Sequence, residues 1–166
     1  MTTLMWGGEL KTWPDPKADF SVYKTYSWLA PRIFSKTGIV ENDPTFTPMV
    51  KSAVNKQLAA KGMTEVETGG DLQVISAGVS NGTQQLEAYL VTWGFDAYWG
   101  YSYGMVSPVQ RYNKEGTLVV GLVDTKTKKG VWVGMATESL GKQSMVEGAV
   151  NHAAERMFKK YPPKKK

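Results

Sequence analysis

The sequence predicts an α+β fold: a single antiparallel β-sheet of four to six strands with two helices packed on one face. Three observations predict it. A segment with strand period lies near the start, two capped stretches carry helix period, and a hairpin of two apolar runs lies between those stretches. The order strand, helix, several strands, helix places the helices together on one side of a sheet.

Residues 1–18 hold Pro14, Pro16 and two adjacent glycines and read as a loose lead-in. In DFSVYKTYSW, Phe20, Val22, Tyr26 and Trp28 alternate with Ser21, Tyr23, Thr25 and Ser27, the period of a half-buried strand. Ala30–Asn42, opened by Pro31 and containing Gly38, reads as a loop. The first helix follows, with Asp43–Pro44 or Thr47–Pro48 as N-cap and first helical residue. Its apolar stripe is Phe46, Met49, Val50, Ala53, Val54 and Leu58, and Gly62 ends it as a left-handed cap.

A second strand spans about Asp71–Val79, and Gln84–Val91 reads as another. Gly116–Thr137 is the clearest hairpin, with apolar runs Leu118–Val123 and Val131–Ala136 around a polar turn ending in Gly130. Both runs are apolar at nearly every position, as in strands covered on part of each face. Ser144 and Glu147 form a capping box for the last helix, whose stripe is Met145, Val146, Ala149, Val150, Ala153 and Met157 before Pro162–Pro163 stops it. The organisation is a lead-in over 1–18, one domain over 19–163 and a basic tail over 164–166.

Composition narrows the function classes. The formal charge is +5, but Lys159–Lys166 holds five lysines and no acid, so the rest of the chain is formally neutral. The basic pI therefore belongs to a short C-terminus, which can give weak contact with anionic membranes. No specific nucleic-acid partner is expected. With no cysteine, disulfides, thiolate metal sites and cysteine catalysis are excluded. There is no run of about 18 apolar residues to span a bilayer. The first residues also lack the basic start and apolar run of a signal peptide.

His152 is the one histidine and hence the natural general base near neutral pH. It stands beside the last helix's apolar stripe, and no G-x-S-x-G elbow or phosphate-cradling glycine loop accompanies it. The aspartates sit beside prolines, glycines and strand ends, where they cap and turn. No metal site, cofactor or catalytic residue is expected.

One segment carries a functional reading of its own. In Tyr89–Tyr103, seven of fifteen residues are aromatic: Tyr89, Trp93, Phe95, Tyr98, Trp99, Tyr101 and Tyr103. Exposed, such side chains form a platform for a protein, a sugar ring or a lipid interface; buried, they cover a sheet. The candidate binding residues are Trp93, Phe95, Tyr98, Trp99, Tyr101 and Tyr103.

Taken in order, ADFSVYKTYSWL, a DP before a helix ending in KG, DLQV, the aromatic glycine-rich insert, GTLVVGLVDTKTKKGVWVGMA and a helix ending in YPP form a pattern. It resembles the domain of unknown function 4136 family, found largely in Gram-negative envelope lipoproteins, over roughly Ala18–Pro163. The resemblance implies location in the periplasm or at the outer membrane, tethered through an N-terminal lipidated cysteine that this sequence does not contain. The expectation is a non-enzymatic envelope domain that binds a protein, glycan or assembly partner through the aromatic segment. The alternatives are a small hydrolase or glycan-active enzyme using His152 or a carboxylate pair, and a peripheral membrane-surface protein.

Overall fold

The computed structural model describes residues 9–35, 38–79, 89, 90, 92, 93, 115–139 and 146–164. Its strands are β1 (Leu10–Pro14), β2 (Thr25–Trp28), β3 (Arg32–Ser35), β4 (Gly38–Glu41), β5 (Thr64–Glu65), β6 (Leu72–Val79), β7 (Glu115–Asp124) and β8 (Lys129–Ser139). Among the described residues the long helices are α1 (Phe46–Ala60) and α2 (Val146–Phe158).

Among the described residues the sheet has eight strands and is mixed, which corrects the expected antiparallel sheet of four to six. β6 pairs in parallel with both β2 and β3, and β2 pairs in parallel with β5. The reason is the placement of α1 between β2 and β6: a strand–helix–strand crossover returns the chain in the same direction. The antiparallel parts are β6–β7–β8–β1, with the β7–β8 hairpin at its centre, and the β3–β4 pair.

Three local expectations also change. The lead-in contains β1, an edge strand paired with β8 from Leu10↔Ala136 to Pro14↔Trp132. An edge tolerates Pro14, which ends the strand at no cost to an inner ladder. The early strand is shorter than its alternation implies, because Phe20–Val22 is a 3₁₀ turn. Asp19 accepts hydrogen bonds from the Ser21 amide and hydroxyl, a local bonding pattern that competes with a ladder. Ala30–Asn42 is the β3–β4 hairpin, in which Ile33 and Phe34 oppose Val40 and Ile39.

α1 forms where its stripe places it, but it begins at Phe46 with Thr45 in the N-cap position, between the two expected starts at Asp43–Pro44 and Thr47–Pro48. The Asp43 carboxylate accepts from the amides of Thr45 and Phe46, and Val50, Ala53, Val54 and Leu58 are buried. Gly62, at φ +82°, closes the helix, with Gly62 N–H donating to Ala59 O and Met63 N–H to Leu58 O. α2 buries Ala149, Val150, Ala153, Ala154, Met157 and Phe158; Ser144 and Met145 lie outside the described residues. Most of the strand expected over Gln84–Val91 also lies outside them, while Tyr89 and Leu90 are helical.

Alternation splits the strands' side chains between two cores. Tyr26, Leu72, Val74, Leu118, Val120, Leu122, Trp132 and Ala136 face α1 and α2. Phe34, Ile75, Ala77, Val79, Val119, Val123, Val133 and Met135 face the other way, where Tyr89 and Leu90 cover them. Burial on both faces explains why the central strands are apolar at nearly every position.

Candidate functional site

The first residues of the aromatic segment anchor it to the second face of the sheet. Tyr89 and Leu90 are buried, and the Tyr89 ring lies 5.6 Å from that of Phe34 on β3. The Arg32 guanidinium sits 4.6 Å from the Tyr89 ring centroid. Burial pushes the Tyr89 phenol's pKa up, against the opposing pull of Arg32. Trp93 is half-buried against the same core, and its carbonyl accepts from Gly130 N–H at 2.7 Å, beside the start of β8. Residues 89–93 are thereby tied at one end to β3 and at the other to the β7–β8 hairpin. Of the candidate binding residues, Trp93 is placed as part of this cover; Phe95, Tyr98, Trp99, Tyr101 and Tyr103 lie outside the described residues.

Beside that anchor the sheet presents an apolar margin. Among the described residues β4 pairs only with β3. Ile39 and Val40 are 50% and 48% exposed, large apolar side chains in contact with water. Directly opposed residues share a face, so Ile39 stands with Phe34 on the second face and Val40 with Ile33 on the helix face. An Arg32–Glu41 ion pair at 3.0 Å closes the open end of the hairpin. Sequence reading passed over this strand because Pro31 and Gly38 outweighed two short apolar pairs.

On the helix face, Glu138 is the one charged residue among the buried residues described. Its carboxylate receives Arg156 Nη1 at 2.6 Å and faces His152 Nδ1 at 3.0 Å. His152 and Arg156 are four residues apart on α2, hence neighbours on one face of the helix. Glu138, the carboxylate that faces His152, is thus already held by a guanidinium. The two converging carboxylates of an acid–base pair are not found there among the described residues.

Next to Glu138 is a cavity of about 160 Å³ between the sheet and the two helices. Ile33, Gly78 and Leu118 line its sheet side, Phe46 its α1 side, and Val146, Ala149, Val150 and Ala153 its α2 side. A Cβ built on Gly78 would come within 3.0 Å of the Phe46 ring, so the glycine lets that ring lie against the sheet. No group of metal-binding side chains occurs among the described residues. Of the tail, Lys159, Lys160 and Lys164 are exposed.

The comparisons agree with this architecture. A DUF4136 family protein from Bacteroides thetaiotaomicron VPI-5482 superposes with a TM-score of 0.63 at 13% identity, covering 95% of this chain and 96% of that one. A PDZ domain protein from Parabacteroides distasonis ATCC 8503 gives a TM-score of 0.60 at 15% identity. That match covers 95% of this chain but 36% of the other. PelC from Paraburkholderia phytofirmans, described as a dodecamer, gives 0.52 at 11% identity, with 90% and 95% of the two chains covered. Identities this low show a shared fold and nothing further. No functionally curated protein matches the sequence. The family profile described as domain of unknown function (DUF4136) matches residues 10–163, nearly the whole sequence, and the chain belongs to that family.

Proposed function

We propose that this chain is a non-enzymatic assembly domain of the bacterial envelope, which associates with further copies of itself through the β4 margin and the adjoining aromatic segment. The observation that carries the reading is β4 itself. A strand that among the described residues pairs only with β3, and that exposes Ile39 and Val40, offers an edge for backbone pairing and apolar contact together. Proteins that remain monomeric guard such edges with charge, proline, shortness or a covering element, and the charge on this short strand, Glu41, stands at its end and is paired with Arg32. The aromatic segment starts beside this edge, since Tyr89 touches Phe34 and Arg32. Trp99 and Tyr101 are assigned to the contact as aromatic anchors of the kind that dominate interfaces. The dodecamer described for PelC supports the reading, as a similar fold that assembles in many copies. The envelope location rests on the family resemblance.

Sedimentation of the native chain, an Ile39→Lys/Val40→Lys variant and a Trp99→Ala/Tyr101→Ala variant tests this. The native chain is expected above its 18.3 kDa monomer mass. Both variants are expected to shift toward monomer, with the β4 variant's stability changed by less than about 0.5 kcal/mol, as for surface positions. A native chain that stays monomeric up to hundreds of micromolar contradicts the proposal, as do variants that assemble equally well.

A further inference from the structure

We infer that the cavity between the sheet and the two helices is a binding slot for a single unbranched hydrocarbon chain. Its volume, about 160 Å³, is close to that of the apolar cavity of ~150 Å³ that stays dry and takes up benzene in another protein. The space is bordered by small residues on facing walls, Gly116 on the sheet and Ala149 and Ala153 on α2, while the room above Gly78 is taken by the Phe46 ring. Larger apolar side chains, Phe46, Leu118, Val146 and Val150, complete it.

The lining also dictates the ligand's chemistry. Its two polar residues are already engaged: the Thr117 and Thr137 hydroxyls lie 3.2 Å apart, and Glu138 is bonded by Arg156. Away from Glu138 a hydrogen-bonding group inside the slot would give up water without a replacement partner among these lining side chains, which disfavours polar ligands. A hydrocarbon gives up nothing of that kind. Ile33, on the lining, stands opposite the exposed Val40, so the apolar surface continues from the slot onto the hairpin. An alkyl tail can follow that path with its polar end in solvent.

The test uses 1-alkanols from butanol to decanol, with the methyl resonances of Ala149 and Ala153 as reporters. Saturable shifts are expected, with affinity rising about fourfold per methylene until the slot is full and levelling thereafter. Ala149→Leu, which fills the slot, is expected to abolish the shifts at Ala153. Val150→Ala, which enlarges it, should move the levelling point to a longer chain, and this variant keeps the test open if the first fails to fold. Octanoate and dihexanoyl phosphatidylcholine below its micelle concentration then separate a free acid from a lipid tail as the source. Absence of saturable shifts, as when the chain's own residues fill the space, overturns the inference. So does a levelling point unmoved by Val150→Ala. Neither result depends on whether β4 mediates assembly.

Discussion

Replacing Arg156 with alanine removes the guanidinium that holds a carboxylate only 3% exposed, leaving Glu138 with His152. Breaking a buried pair on one side strands a charge, and a loss of about 3 kcal/mol is expected in urea unfolding. A loss under about 0.5 kcal/mol would show that solvent reaches Glu138 freely. Tyr161 provides a pH-dependent counterpart. Burial pushes its phenol up to about 12 from the ordinary 10.0, so above pH 10 the unfolded chain releases this proton first. The stability it contributes is therefore present at neutral pH and lost as pH climbs from 10 toward 12. Tyr161→Phe should be nearly neutral at pH 7, since the hydroxyl's contact is a weak 3.9 Å one with Met63 Sδ, and should flatten the alkaline decline. An unchanged alkaline slope would contradict the assignment. At this scale the sequence was only partly readable. The helical stripes named buried residues well, because a local period determines which side faces inward. Glu138 was missed because its partners lie 14 and 18 residues away on another element.

At the scale of elements, β1 shows what a strand outside the obvious core contributes. Leu10 packs against one core and Trp13 against the other, and the Asp15 amide donates to Val131 O just beyond the strand. Removing residues 1–14 uncovers β8 and forfeits roughly 2 kcal/mol of apolar burial. In a domain of this size that corresponds to a melting temperature lower by about 6 °C. An unchanged melting temperature would mean that β1 is not held in the sheet in solution. The β7–β8 hairpin was legible because its two apolar runs are adjacent and its turn is polar. β1 and β4 were not, because four or five residues carrying Pro or Gly resemble loop until a neighbouring strand pairs with them. The parallel pairing of β2 with β6 depended on where α1 carries the chain, a tertiary fact without a local period.

For the whole molecule, the layers follow from one requirement: a sheet apolar on both faces must be covered on both. α1 and α2 cover one face, and Tyr89, Leu90 and Trp93 cover part of the other. The first residues of the aromatic segment thus serve the core, and the proposal above gives its later ones the contact role. Composition located the segment but could not divide it, because aromatic side chains are equally suited to a core and to an interface. In the proposed assembly the β4 margin is where the sheet would meet a second copy. Amide hydrogen exchange at Ile39, Val40 and Glu41, followed as a function of protein concentration, probes that margin most directly. Self-assembly requires the β4 amides that point away from β3 to exchange more slowly as concentration rises from micromolar to hundreds of micromolar, while Ile75 and Val120 stay protected throughout. Exchange along β4 that is fast and independent of concentration would contradict it.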